Sequence, residues 1–182
     1  MESVQGDRVS SGVEGFRLGS WEPPDMGVSK INTDAGVMEG VGVGLGAVSR
    51  DAAGGVEWAV VLQRGIGCDV AMAEAEAILL GLREARRMQS RKVIVESDCL
   101  IVVEDLTKHR NGRSELFVIY EEIRQISLFF ESIVFKHISR KLNKLAHKLA
   151  HAMPWTHGRR FWTSDLPAEF GNVAVADISN II

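Results

Sequence analysis

A chain of 182 residues that is 46% hydrophobic and 25% charged, with a formal net charge of −3, predicts one soluble domain with an ordinary core. Its two cysteines, Cys68 and Cys99, form no CxxC pair, which disfavours a disulfide framework and is typical of a reduced, intracellular protein. No run approaches the roughly 18 apolar residues that a membrane span needs, so we expect no membrane partner.

The two ends of the chain are expected to lie outside the folded domain. Residues 1–20 lack the apolar core of a signal peptide, and their acidic residues disfavour a transit peptide, so we interpret them as a flexible leader. The domain is expected over residues 21–153 and a C-terminal tail over residues 154–182. Nothing in the sequence distinguishes nucleus from cytoplasm.

The first elements are predicted to be three antiparallel strands joined by short glycine-bearing turns. The segment VSKINTDAG alternates and then ends in turn residues, which predicts a strand with Asp34 at its exit. In VGVGLGAVSRD, three glycines leave one face of the second strand bare, so another backbone can approach closely there. A phosphate-binding loop is the weaker alternative, because the Gly-Lys-Ser/Thr ending is missing. The third strand is GGVEWAVVLQ.

The spacing of apolar residues becomes helical over residues 71–89. Glu74 lies on the apolar stripe of this helix or at its border, where a carboxylate needs a partner or a function. The ordinary alternative is an exposed glutamate of the first turn, which the helix dipole favours.

A fourth strand, KVIVESD, is predicted to end at Asp98, and a helix begins near Cys99. Asp98 is therefore also a candidate N-cap of that helix. A further helix over residues 114–130, a fifth strand in SIVFKHIS and a last helix in KLNKLAHKLAHAM complete the order βββαβααβα. This order implies a mixed sheet covered by helices.

Adjacent first and fourth strands would bring Asp34 and Asp98 together where the strand order reverses. Unpaired carboxylates about 4 Å apart repel by roughly 4 kcal/mol at an effective dielectric near 20, so such a cluster implies a cation. Residues 132–164 hold seven lysines and arginines and no carboxylate. That segment predicts a positive surface near the acidic site, or else only a solvated helix face and a tail.

Five segments resemble, in order and spacing, the type 1 ribonuclease H domain of the reverse-transcriptase-like family abundant in plants. They are WEPPDMGVSKINTDAG, GVGLGAVSRDAAG, AEAEAILLGLREA, VIVESDCLIVVEDL and FKHISRKLNKLAHKLA. The resemblance implies an α/β, ribonuclease H-like fold whose five-stranded mixed sheet has the order 3-2-1-4-5 and is flanked by helices. It also implies a site where acidic side chains hold two Mg²⁺ ions, for which Mn²⁺ can substitute.

Carried over by position, the family's metal-binding acids are Asp34, Glu74 and Asp98, with Glu76 as a competitor for the second place. The family's RxxNxxAD pattern aligns with Arg140, Asn143 and Ala146, so His147 stands where a fourth carboxylate is expected. The order Asp-Ala-Gly at residues 34–36, where Asp-Gly-Ala is usual, leaves the local turn open.

Three interpretations of His147 compete. It is an exposed residue on a decayed site, a neutral imidazole that ligates metal or holds water, or a cation that binds the substrate phosphate. A zinc site using His147 and His151 at i, i+4 spacing is disfavoured, because the sequence offers no further ligand nearby.

The resemblance implies hydrolysis of the RNA strand of an RNA/DNA hybrid by a monomer, with metal ligands Asp34, Glu74, Asp98 and His147. His137 matches a mobile-loop histidine thought to assist proton movement; the alternative is a strand-end histidine satisfied by hydrogen bonds. The alternative functions are a catalytically impaired nucleic-acid-binding or interaction module and one piece of a retroelement polyprotein. Candidate contacts to the nucleic acid are Gly42, Gly44, Lys136, Arg140, Lys141, Asn143 and Lys144.

Overall fold

The computed structural model describes residues 20–65 and 68–179, so the expected leader lies outside the described residues except for Ser20. The predicted order of elements is present, and two further elements follow it. A single 3-10 turn, Arg140–Leu142, precedes the fourth helix. In chain order the strands and helices are β1 (Ser29–Met38), β2 (Gly42–Arg50), β3 (Val56–Arg64), α1 (Val70–Arg87), β4 (Lys92–Ser97), α2 (Leu100–Thr107), α3 (Glu115–Ser127), β5 (Ser132–His137), α4 (Lys144–Ala150), β6 (Gly158–Trp162) and α5 (Ala168–Ser179).

The sheet has six strands in the order β5-β4-β1-β2-β3-β6. The pairs β1–β4 and β4–β5 are parallel. The pairs β1–β2, β2–β3 and β3–β6 are antiparallel. The expected order of the first five strands is correct and their number is not. The sixth strand comes from the segment interpreted as a tail, and it pairs with the outer edge of β3, whose main-chain groups would otherwise be unpaired.

One face of the sheet carries the larger core. Asp69 caps α1 by accepting a 3.0 Å hydrogen bond from the main-chain nitrogen of Met72. The helix lies close to β1, because a Cβ at Gly81 would be only 3.1 Å from Ile31 Cγ2. Buried aliphatic residues of α1, α2 and α3 complete this core. Helix α1 is thereby held close to β1.

The other face is covered by α4, which packs on the glycines of β2. A Cβ at Gly44 would lie 2.0 Å from the carbonyl oxygen of Ala150, and one at Gly46 would lie 2.7 Å from that of Ala146. The bare strand face therefore admits a backbone as expected, and that backbone belongs to α4. Gly42 and Gly44 are buried, so the proposed contact between these two glycines and nucleic acid is not supported.

Helix α5 completes the second core, in which Phe170 and Ala174 pack beside Leu145 and Leu149. Its Asp177 forms a buried ion pair of 3.2 Å with Arg50 of β2. The residues from β6 to α5 are thus packed into the fold, because they cover apolar surface that α4 leaves open. None of the helices described here is long and apolar enough to cross a bilayer.

Candidate active site

Three carboxylates from three elements converge at one edge of the sheet. Asp34 of β1, Glu74 of α1 and Asp98 after β4 place ligand oxygens within 4.8 Å of one another. Parallel pairing of β1 with β4 accounts for this, since Thr33 pairs with Ser97 immediately before the two aspartates. The sequence prediction that these side chains meet is consistent with this geometry.

Asp34 lies inside β1 and not at its exit as expected, because β1 continues to Met38 and pairs Asp34 with Gly46. Its side chain is 0% exposed. Oxygen Oδ2 shares a 2.8 Å hydrogen bond with His147 Nδ1, whereas Oδ1 has no hydrogen-bond partner among the described residues. Burial, and secondly the charge of Asp98, raise the pKa of Asp34 from 3.8 to about 6.

Glu74 lies in the second turn of α1 and is buried, so the alternative of an exposed first-turn glutamate is wrong. Within the part of the chain that the structure describes, its Oε2 has no hydrogen-bond partner. Burial, followed by the charges of Asp34 and Asp98, raises its pKa to about 9. The competitor Glu76 points elsewhere and pairs with Arg64 of β3.

Asp98 does not cap α2. The N-cap of that helix is Cys99, without a side-chain hydrogen bond, so the capping alternative is wrong. Instead the Asp98 carboxylate accepts hydrogen bonds from Arg140 Nε at 3.1 Å and from Asn143 Nδ2 at 3.4 Å. Arg140, expected to contact phosphate, thus forms an ion pair at the acidic site while its side chain remains 68% exposed.

Asn143 is only 1% exposed, so the expected direct contact with nucleic acid is not available to it. Its Nδ2 donates a 2.8 Å hydrogen bond to the carbonyl oxygen of Thr33, and its Oδ1 accepts one of 3.3 Å from Asn32. The side chain therefore fixes the start of α4 to β1. Sequence spacing alone did not distinguish this structural tether from a surface contact.

His147 lies in α4 and His151 is the residue that caps the C-terminal end of that helix, and both side chains face β1. Their ring centroids are 4.3 Å apart, and His151 Nδ1 donates a 2.9 Å hydrogen bond to the carbonyl oxygen of His147. His147 is 40% exposed and contacts Asp34 directly. Both histidines place a ring nitrogen within 4.8 Å of the Asp34 carboxylate.

Exposed basic residues follow one another from the end of β5 to the start of α4, in the segment that contains Arg140 and Asn143. Lys136, Lys141 and Lys144 are exposed, and His137, also exposed, ends β5 in register with Ser97 of β4. Lys136 lies on the same face of the sheet as Asp34, because Asn32, Glu96 and Lys136 are in register across three strands. These side chains are accessible to a ligand that approaches the site.

A buried polar network lies beneath the site, and the sequence analysis did not identify it. Glu96 accepts a 2.9 Å hydrogen bond from Asn32 and forms a 3.0 Å ion pair with Lys30. Trp21 donates a 3.0 Å hydrogen bond to Asn32. The period-two spacing of Lys30, Asn32 and Asp34 is the signal that identifies this polar face of β1.

Solved structures of several ribonucleases H share this architecture. Ribonuclease H1 from Halobacterium salinarum NRC-1 aligns with a TM-score of 0.64 and 19% identity over 68% of this chain and 95% of its own. The N-terminal RNase H domain of rv2228c from Mycobacterium tuberculosis gives 0.62 and 23% over 68% and 91%. LC11-RNase H1 from compost, solved with an RNA/DNA hybrid, gives 0.61 and 23% over 68% and 94%. At these identities the likeness shows the fold alone.

The mixed sheet with its covering helices defines an RNase H-like domain. The sequence profile described as reverse transcriptase-like matches residues 32–153, which is most of the chain and includes every candidate metal ligand. The chain belongs to the reverse transcriptase-like family. A search among curated protein sequences found no match.

Proposed function

We propose that this domain hydrolyses the RNA strand of RNA/DNA hybrids with the help of divalent metal ions. The observation that carries the proposal is the convergence of Asp34, Glu74 and Asp98 within 4.8 Å. Clustered carboxylates, two of them buried, are costly, and they recur where a cation binds. Burial, and secondly the repulsion between the carboxylates, raise the pKa values of Asp34 and Glu74, and a bound cation would offset both effects.

The three carboxylates fit magnesium chemically, since Mg²⁺ prefers oxygen ligands. Oxygens Asp34 Oδ1 and Glu74 Oε2, which lack partners in the described structure, are available as ligands. When bound, divalent ions supply charge stabilisation at the scissile phosphate and make a bound water more acidic. His147 at the fourth position fits magnesium poorly, because imidazole nitrogen is a softer ligand.

Residues of the chain would also link the metal ligands, bind the phosphates of the substrate and assist proton movement. Asp34 belongs to the carboxylate cluster and also lies within 4.8 Å of ring nitrogens of His147 and His151, so it would join the acidic side of the site to the histidine side. The exposed lysines beside the site would contact phosphates and fix the position of the duplex. His137, accessible at the end of β5, would assist proton movement or product release.

A second candidate function is a nucleic-acid-binding module without turnover. Two hydrogen bonds favour it. His147 Nδ1 lies 2.8 Å from Asp34 Oδ2, and Arg140 Nε donates to Asp98 Oδ2 at 3.1 Å. Both groups satisfy oxygens that would otherwise ligate metal. In such a module the acidic cluster would be held together by these side chains, and the exposed basic residues would still bind phosphates.

The deciding experiment measures cleavage of a labelled RNA/DNA hybrid in Mg²⁺ and in Mn²⁺, with single-stranded and duplex RNA alongside. We expect metal-dependent cleavage of the hybrid alone, and its loss in Asp34→Asn with hybrid binding retained. The conservative replacement Glu76→Gln is the matched control, since Glu76 faces Arg64. Hybrid binding without cleavage in either metal would favour the binding module, and equal cleavage by Asp34→Asn would place the chemistry elsewhere.

A further inference from the structure

The second group of candidate ligands differs in chemistry from the carboxylate cluster. Asp34, His147 and His151 offer one carboxylate oxygen and two imidazole nitrogens within 4.8 Å. The sequence suggested only the two histidines, and the fold supplies the missing third ligand from β1. The earlier reason for disfavouring a metal site here, the lack of a further ligand, therefore no longer holds.

The hydrogen bond at His151 sets which nitrogen is available. Its Nδ1 lies 2.9 Å from the carbonyl oxygen of His147, and a carbonyl only accepts, so Nδ1 carries the hydrogen. In the neutral ring, Nε2 then holds the free lone pair. A metal-binding histidine commonly donates its other N–H to such a carbonyl, which orients the ring.

Gly36 leaves the space in which the imidazole ring of His151 lies. A Cβ at this position would lie 2.7 Å from His151 Nε2, so only glycine leaves room for the ring. Gly36 and Asp34 are two residues apart on β1 and share one face of the strand. The free nitrogen of His151 is therefore directed to the face that carries the Asp34 carboxylate.

The Asp34 carboxylate can coordinate an ion without large movement. Its side chain is 0% exposed, and Oδ1 has no hydrogen-bond partner among residues 20–65 and 68–179. The other oxygen, Oδ2, is hydrogen-bonded to His147 Nδ1, and the shared proton lies between two atoms that are 2.8 Å apart. In a tetrahedral zinc site the two atoms would be about 3.4 Å apart, so replacing that proton with an ion needs only a small movement.

We propose that Asp34, His147 and His151 form a site for a divalent transition ion of the zinc class. Imidazole suits Zn²⁺ and its neighbours, whereas Mg²⁺ requires oxygen ligands in octahedral geometry. Three protein ligands leave a position open, as catalytic zinc sites do. This site goes beyond the proposed hydrolysis, because it binds its ion whether or not the domain cleaves RNA.

Binding is tested on the full chain, first stripped of metal with a chelator that is then removed. Co²⁺ is titrated while its visible absorption is followed, and Zn²⁺ or excess Mg²⁺ is then added as competitor. We expect one Co²⁺ per chain, displaced by Zn²⁺ and not by Mg²⁺. Replacement His151→Gln should weaken binding by about tenfold or more, since loss of even an indirect partner costs that much.

Two variants separate this site from the carboxylate cluster and from folding defects. Glu74→Gln removes a ligand of the cluster only, so it should keep Co²⁺ binding. Gly36→Ala should weaken binding without removing any ligand, because its Cβ displaces the His151 ring. The control His109→Asn changes an exposed histidine at φ 50°, a conformation that asparagine tolerates. Each variant is checked by its thermal unfolding curve.

The proposal is overturned if the folded parent binds no Co²⁺, or if His151→Gln binds it as tightly as the parent does. It is also overturned if Glu74→Gln abolishes binding while His151→Gln retains it, since the ion would then lie in the carboxylate cluster. Failure of hybrid cleavage alone would leave the Co²⁺ result unchanged and would count only against the proposed hydrolysis.

Discussion

Asn143 Nδ2 donates a 2.8 Å hydrogen bond to the carbonyl oxygen of Thr33, and this bond joins the start of α4 to β1 one residue before Asp34. The distance between the histidines of α4 and the carboxylate of β1 depends on that junction. A residue that the family pattern places near the substrate is therefore a structural element of the site.

Replacing Asn143 with alanine should lower the free energy of unfolding by about 1–3 kcal/mol, because the buried Thr33 carbonyl loses its donor. Urea unfolding provides the measurement. The exposed neighbour Lys141 is the control, and Lys141→Ala should change the free energy by no more than about 0.5 kcal/mol. A similarly small change for Asn143→Ala would contradict the structural interpretation.

The buried carboxylates should make the protein less stable as the pH rises in the presence of chelator. In the folded chain the pKa of Asp34 is about 6, against an ordinary value of 3.8, and that of Glu74 is about 9, against 4.5. The folded state therefore binds more protons than the unfolded state. The stabilisation that these groups contribute is complete below about pH 4 and is lost as the pH passes first 6 and then 9.

Unfolding by urea at several pH values between 5 and 9 tests this expectation. Glu74→Gln should reduce the loss of stability over that range, and Asp34→Asn should remove about 1.4 kcal/mol of it, since the interval from pH 5 to the folded pKa of about 6 is one pKa unit. Glu115→Gln, an exposed change on α3, should leave the pH dependence as in the parent. Identical curves for all four proteins would show that these carboxyls ionise normally.

Much of this architecture follows from periodic patterns. Alternating residues predict the first two strands and short apolar runs the later ones, and the apolar spacing of 71–89 predicts α1. Strand β6 was not predicted, because GRRFW is short and basic and its position depends on pairing with the free edge of β3. No local pattern encodes that edge.

The candidate site was predictable only where the ligands follow family spacing. Gly36 resembled a turn residue, whereas β1 runs through it and its lack of a Cβ accommodates His151. Likewise, the contact between His147 and Asp34 joins residues that are 113 positions apart. Such a relationship depends on the packing of α4 against β1, which the helical period of α4 alone does not specify.

Binding of the hybrid should weaken steeply as salt concentration rises, since the exposed lysines beside the site would displace counterions from phosphates. Each phosphate contact contributes about −0.9 to the slope of log K against log salt for B-form DNA, and hybrids should behave similarly. Replacing Lys141 and Lys144 with alanine should therefore make the slope shallower for every sequence. Fluorescence anisotropy at several salt concentrations measures it.

The control removes two positive charges elsewhere. Lys92 at the start of β4 and Lys108 after α2 are exposed, and their double alanine variant has the same net charge as the test variant. Its slope should equal that of the parent. Equal slopes for all three proteins would show that residues 136–148 form only a solvated surface.

Replacing His147 with aspartate should shift the metal preference of the site towards magnesium. The change exchanges a nitrogen ligand for oxygens and adds a negative charge beside Asp34, both of which favour a hard cation. We expect the parent to cleave the hybrid better in Mn²⁺ than in Mg²⁺, and His147→Asp to raise the Mg²⁺-dependent rate. In chelator the variant should be less stable than the parent, because the added carboxylate lies close to Asp34 and repels it.

His147→Asn is the matched control, since it has the shape of aspartate without the charge, and it should not raise cleavage in Mg²⁺. The rates are measured on folded proteins at saturating hybrid, so that differences in binding do not enter. If His147→Asp lowers a parent rate that is already high in Mg²⁺, the histidine is an adapted part of the catalytic site. If neither protein cleaves in either metal, the loss of function extends beyond position 147, and the domain acts through binding alone.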